Sequence, residues 1–256
     1  MKFWIFILSF LVVLPACAQP MEVGISKTGA ANQIIDNGTN MPVPNAKIIL
    51  PKQNYTTYTD DNGLFNISGK INDSSVIAVE KDGYRPFSLT INEKIAARPI
   101  VIGIEKTNAQ DIVISTEMVH LGDDNFSEHS ANSGEFRGRS VGPFYSKTFK
   151  IDQFNQNKPN YLVIGSIIGV DTLMARSMKQ NSITNSFSSP PEIYFNGQKI
   201  AEIQINGDGQ RIKIPNNLIR GGSMNEVTIK TGHNLQQTAY IDYDDIELMN
   251  LSVVSE

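Results

Sequence analysis

The sequence predicts an all-β chain of two sandwich domains. Short runs rich in Val, Ile, Thr, Tyr and Phe alternate with clusters of Asn, Asp, Gly and Pro about every 8 to 12 residues, the spacing of a sandwich or barrel. Helical periodicity is nearly absent. At 256 residues the chain is long enough for two ordinary cores, and a 40 % hydrophobic, 19 % charged composition excludes a disordered polymer.

Residues 1–18 read as an export signal: Lys2, an apolar run from Phe3 to Leu14, then small residues around Cys17. The run is shorter than the roughly 20 residues a membrane span needs. Two processing patterns overlap here. Leu14-Pro15-Ala16-Cys17 resembles a bacterial lipobox, which makes Cys17 the lipid-attachment residue, and Ala16-Cys17-Ala18 is an A-x-A site cut before Gln19. Pro15 favours the second; placement of the chain's single Cys where lipidation needs it favours the first. With Cys17 acylated or removed, the exported protein has no disulfide, so stability rests on its cores. By resemblance to enteric lipoproteins, Ala18 after the Cys points to the outer membrane; without lipid the protein is soluble in the periplasm or secreted.

Lys2 is the only charge lost with this segment, so the mature chain is more acidic than the formal −4. That balance argues against nucleic acid as a partner, which needs a basic face. Membrane contact is expected only through an N-terminal lipid.

The first domain spans 21–114. Its expected strands are Ala46 to Leu50, Tyr55 to Thr59, Leu64 to Ile67, Ser75 to Glu80, Arg85 to Ile91 and Ile100 to Glu105. Ala46, Ile48 and Leu50 share one face of the first, with Ile49 partly covered on the other. Pro42, Pro44 and Pro51 mark where its pairing stops. Asn62-Gly63, behind the acceptors Asp60 and Asp61, predicts a hairpin turn, and two adjacent carboxylates alone make a poor metal site.

The segments PVPNAKIIL, YTTYTDDNGLFNI and VIAVEKDGYRPFSLTI together resemble the carboxypeptidase regulatory-like domain, a transthyretin-like β-sandwich. The matching positions are Pro42 to Ala46, Thr59 through Phe65, and Lys81 through Tyr84. The resemblance implies an appendage rather than a catalyst, since in carboxypeptidases this module sits beside a larger zinc domain.

Between Thr107 and Met118, the apolar run Ile112 to Ile114 fits either the end of the first sandwich or the start of the second. The second domain, 119–256, carries the strand-like segments GPFYSKTFKI, NYLVIGSIIGV, EIYFNGQKIAEIQI, QRIKIP, NEVTIKTG and YIDYDDIELMNLSVV. Phe195-Asn196-Gly197-Gln198 is a strong hairpin signal. LGDDNF, IYFNGQKIAEI, IPNNLIRGGSMNEVTIKT and DYDDIELMNLSV resemble a galactose-binding-like jelly roll, the fold of many carbohydrate-binding modules. Proteins of that fold bind sugars, lipids or proteins.

Catalytic motifs are missing from the sequence. His120, His129 and His233 lack helical zinc spacing, no second Cys exists, and neither G-x-S-x-G nor a P-loop occurs. The chain therefore reads as a non-enzyme. Two acidic clusters remain, Asp123-Asp124 and Asp242 to Asp245 with Glu247. The jelly-roll resemblance implies a structural Ca2+ between the opening loop and the final strand, held by Asp123, Asp124, Asp244 and Asp245 with backbone carbonyls. The plainer reading is that these acids solvate strand edges. Asp242, Asp244 and Asp245 cannot all face one way, because strand neighbours alternate.

For sugar stacking, Trp4 departs with the signal, leaving Tyr145, Tyr161, Tyr194, Tyr240 and Tyr243, of which many should be packing residues. Asn-x-Ser/Thr sequons begin at Asn37, Asn54, Asn66, Asn72, Asn125 and Asn250, and beside a bacterial export pattern they follow from abundant Asn, Ser and Thr. The reading of the whole is an exported, non-catalytic binding protein of the cell envelope that engages carbohydrate or another envelope polymer through its second domain. A structural module contacting an envelope protein is the alternative, and a hydrolase the third.

Overall fold

The computed structural model describes residues 31–71, 74–127, 129–132, 136–181 and 187–256. The export segment 1–18 with Cys17, and the Asn72 sequon, lie outside the described residues. The all-β expectation holds: the helices α1 (Glu93–Ala96) and α2 (Leu173–Ser177) are single turns capped by Asn92 and Thr172.

The first domain is built from β1 (Asn32–Asp36), β2 (Lys47–Leu50), β3 (Tyr55–Tyr58), β4 (Leu64–Phe65), β5 (Ser75–Glu80), β6 (Phe87–Ile91) and β7 (Val101–Ile104). One sheet has the order β4-β1-β7, with β1 and β7 parallel; the other is antiparallel in the order β3-β2-β5-β6. Between them lies a core that includes Ile34, Ile48, Leu50, Ile77, Ile102 and Ile104.

The expected hairpin between β3 and β4 does not form. The Asp60 to Gly63 turn is tight, and Asp60 Oδ1 accepts from the Asn62 and Leu64 amides at 2.9 and 2.8 Å. Yet β3 pairs with β2 and β4 pairs with β1, so the turn carries the chain from one sheet to the other rather than closing a hairpin. Turn chemistry fixes the local reversal; which sheet accepts the next strand is a tertiary decision.

The second domain contains β8 (Ile112–Leu121), β9 (Phe144–Ile151), β10 (Asn160–Ile168), β11 (Glu192–Phe195), β12 (Gln198–Glu202), β13 (Gly207–Ile214), β14 (Ser223–Lys230) and β15 (Ile246–Ser255). They form two antiparallel four-stranded sheets, β13-β10-β15-β8 and β12-β11-β14-β9, around a core that includes Leu121, Ile164, Phe195, Val227 and Leu248. The ambiguous run at Ile112 belongs to β8, which pairs with β15. Phe195 pairs with Gln198 across Asn196 and Gly197, at φ 49° and 81°, giving the expected hairpin. Residues 240–245 are loop, not strand.

The two domains share a packed junction. Strand β5 reads as a continuous apolar run because both faces are covered. Ile77 and Val79 enter the first core, while Val76 and Ala78 meet Ile168 and Met249 of the second domain, flanked by Ile49, Met118 and Phe136. Hydrogen bonds extend this contact. Asp208 Oδ1 accepts from Thr90 N at 3.0 Å, Thr90 Oγ1 at 2.8 Å and Ser166 Oγ at 2.6 Å, and Ser166 Oγ lies 3.0 Å from Ser88 Oγ. Gly165 permits the approach of β6 to β10, since a Cβ there would fall 2.5 Å from Ser88 Oγ and 2.7 Å from Asn250 Cβ.

Candidate functional site

Three long connections leave the same end of the second sandwich: 122–143 after β8, 169–191 after β10, and 231–245 after β14. Strand register fixes this arrangement. Leu121 lies opposite Ile246, Ile168 opposite Glu247, and Lys230 opposite both Phe144 and Glu192. Binding residues favour loops held on a rigid scaffold, and this end carries most of the loop sequence.

Under the loops lies a buried polar nexus. A carboxylate taken out of water needs donors or a proton. Asp245 Oδ1 accepts from His120 Nε2 at 2.8 Å and the Asp124 amide at 3.1 Å, and its Oδ2 accepts from Asn132 Nδ2 at 2.9 Å. Asp242 accepts from Asn125 Nδ2 at 2.7 Å, Ser130 Oγ at 3.3 Å and Asn234 Nδ2 at 3.0 Å. Asp244 Oδ2 accepts from the Asp171 amide at 3.1 Å and Ser188 Oγ at 2.6 Å. Three consecutive or near-consecutive acids thus bind the 231–245 loop to both of its long neighbours.

His120 is the cation of the nexus. Nε2 faces the Asp245 carboxylate and Nδ1 faces the Gly138 carbonyl at 2.6 Å, so both ring nitrogens must donate, which requires the imidazolium. Burial alone would depress its pKa; the bonds to Asp245 and Gly138 and the charges of Asp245 and Glu247 outweigh that and raise it. Gly122 makes room for the partner: at φ +147° a Cβ there would lie 2.2 Å from Asp245 Oδ1.

The structure divides the four residues expected to hold calcium. Asp124 and Asp245 gather beside His120 and Asp123 turns to the Tyr243 amide, whereas Asp244 faces Asp171. Asp123 accepts from the Asn125 and Tyr243 amides at 3.1 and 2.9 Å, and Asp124 accepts from the Ser140 amide at 3.1 Å. Ligand atoms of His120, Asp124 and Asp245 do fall within 4.8 Å of one another. Calcium needs six to eight oxygens, and of the four expected acids only Asp124 and Asp245 share that group among the described residues, so the four do not converge as one ligand set. Burial, then the charge of Asp171, holds the Asp244 carboxyl well above the usual range, and its Oδ1 accepts no hydrogen bond among the described residues. Burial also raises Glu247, against the opposing charges of His120 and Lys52.

A Ser–His contact exists at Ser189 Oγ and His233 Nδ1, 3.1 Å apart. The same hydroxyl also accepts the backbone N–H of His233, and no carboxylate orients the ring among the described residues, so the pair lacks the third group of a triad.

The candidate tyrosines separate clearly. Arg211 covers Tyr161, Lys230 covers Tyr194, and the Tyr145 hydroxyl bonds Ser115; all three lie on strands. Tyr243 is half-buried and bridges to His233. Tyr240 is 54 % exposed on the 231–245 loop. Around it the loop end also exposes Leu173, Met174 and Met178 of the α2 region, Leu235 and Ile241. Backbone contacts hold these segments side by side: Ser188 bridges Thr172 and Asn234, and the Leu235 amide donates to the Phe187 carbonyl.

Sequence reading missed the amides Asn125, Asn132 and Asn234 and the ionic role of His120. Only its position at the end of a strand, one residue before the last buried Leu121, hinted that His120 would be covered.

Fold and site define an all-β protein of two packed sandwiches, the second presenting a stapled loop surface. Residues 32–114 match the CarboxypepD_reg-like domain model, whose last three residues are the first of β8. No curated protein matches the chain. Among solved structures is one from Bacteroides fragilis NCTC 9343, described as a candidate membrane-associated protein of unknown function. It is 12 % identical, covers 88 % of this chain and 96 % of its own, and superposes with a TM-score of 0.24, too low to carry an argument. Among the described residues, no helix is long and apolar enough to cross a membrane.

Proposed function

We propose that this is an exported, non-catalytic binding protein of the cell envelope whose second domain recognises its ligand with the loop end around Tyr240. The observation that carries this reading is the gathering of exposed apolar side chains, Leu173, Met174, Met178, Leu235, Tyr240 and Ile241, on loops fixed from beneath by the Asp242, Asp244 and Asp245 bonds. Scattered apolar residues need no explanation, but a concentration at one end marks a contact surface.

The ligand proposed first is a carbohydrate or related envelope polymer, with the Tyr240 ring as the stacking platform. Support for a protein partner comes from the methionines and aliphatic residues around that ring, which adapt to apolar surfaces and offer a sugar little. Binding of the full chain to an array of envelope polysaccharides tests the first reading. Saturable binding weakened about tenfold or more by Tyr240→Ala is expected. Binding indifferent to Tyr240→Ala and Met174→Ser would remove the loop end from the account. If no glycan binds, crosslinking from position 174 to an envelope protein is the outcome required by the second reading.

A further inference from the structure

The domain junction opens on one side into a pocket of about 250 Å³. Lys52 and Lys70 reach it from the first domain and Arg137 from the 122–143 loop of the second, with Gln53, Ser68 and Ser75 completing the polar lining. None of the described lining residues is a carboxylate, and none of the three cations forms an ion pair among the described residues. In a chain with 26 acidic and 22 basic side chains, that concentration of positive charge runs against composition.

We infer that this pocket binds a tetrahedral oxyanion, a phosphate group above all, and that the anion bridges the two domains. Converging cations repel one another, and a concave site focuses their field onto an anion entering it. Two of the cations are already positioned by backbone carbonyls. Arg137 Nη1 donates to the Lys52 carbonyl at 3.2 Å, and Lys52 Nζ donates to the Ser74 carbonyl at 3.3 Å. An ammonium has three donors and a guanidinium five, so both heads keep N–H groups for a ligand.

Among the described residues, Glu247 is the acid that acts on Lys52. It does not line the pocket, and burial raises its carboxyl even with Lys52 and His120 acting the other way. One such acid cannot balance three cations. Gln53 adds a second observation: its Nε2 donates to Ser75 Oγ at 2.9 Å, while its buried Oε1 has no partner among the described residues. Turning the amide over would direct its donor to that position and let the Ser75 hydroxyl donate to the oxygen. The volume exceeds what a bare phosphate fills, leaving space for the group that carries it.

The test titrates the full chain with inorganic phosphate by calorimetry at low ionic strength, with chloride and acetate at matched ionic strength as controls. A second arm offers vesicles of phosphatidylcholine with and without phosphatidylglycerol. Saturable phosphate binding is expected, weakened about tenfold by Lys70→Gln or Arg137→Gln, as the loss of one charge-assisted bond implies. Both residues are exposed, so the melting temperature without phosphate should not change. Sedimentation with anionic vesicles that is lost in the same variants assigns the phosphate to a lipid headgroup; phosphate binding without sedimentation assigns it to a soluble ligand. Phosphate heat indistinguishable from chloride, or binding undiminished in the Lys70→Gln/Arg137→Gln double variant, overturns the proposal.

Discussion

The imidazole of His120 and the carboxylate of Asp245 meet at 2.8 Å although 125 positions separate them in the chain. Each is buried, and each completes the other's charge. Removing one partner should therefore cost far more than an exposed ion pair. Asp245→Ala leaves His120 Nε2–H and the Asp124 N–H without their acceptor, while Asn132 Nδ2 keeps the Asn125 carbonyl and Ser130 Oγ, and a loss of about 3–5 kcal/mol is expected by urea unfolding. His120→Gln, which keeps a donor for Asp245, should cost less.

The same pair sets a pH dependence. The folded His120 pKa lies above its unfolded value, so its contribution is fully present below the unfolded pKa and is lost as pH rises through the folded one. Wild type should lose stability across that window relative to His120→Gln, as melting temperature against pH would record. Parallel curves for the two proteins would show that His120 is not the ion.

Asp244 predicts the opposite effect of a substitution. Its carboxyl is raised, so ionising it in place opposes folding as pH climbs. Asp244→Asn retains an acceptor for Ser188 and the Asp171 amide and adds a donor toward Asp171. The variant should equal or exceed wild type in melting temperature at neutral pH, with an advantage that widens as pH rises.

Chelation offers a direct check on the calcium set. Because the carboxylates of Asp123, Asp124 and Asp245 are met by N–H donors, EDTA should leave the melting temperature unchanged and added calcium should not raise it. A calcium-dependent rise would mean that the loops rearrange around the ion.

At the junction, Gly165→Val should drive β6 from β10, since the first added carbon already falls 2.5 Å from Ser88 Oγ. Wild type is expected to melt in one calorimetric transition, and the variant in two, as the domains lose their shared contact.

The strands were legible because their signals are local. PVPNAKIIL and the Asn196-Gly197 turn carry alternation and positive-φ residues within a few positions. The acids of the site were legible as a cluster, but their role was not, because Asn125 and Asn132 act from 117 and 113 positions away. An Asp beside a strand looks the same whether water or a distant amide meets it. The Asp60 turn shows the same limit: its own backbone bonds are encoded locally, while its crossing between sheets depends on β1 and β2 competing for partners. Strand β5 supplied a readable hint of the junction, as Val76 to Val79 leave no polar face.

That doubly covered strand has a mechanical meaning. Val76 and Ala78 are pressed on Ile168 and Met249, and Thr90 is bonded to Asp208, so apolar packing and hydrogen bonds both cross the waist of the molecule. A pull delivered to the first domain would arrive at the loops as displacement and torque, so the protein would behave as a strut instead of two beads on a string.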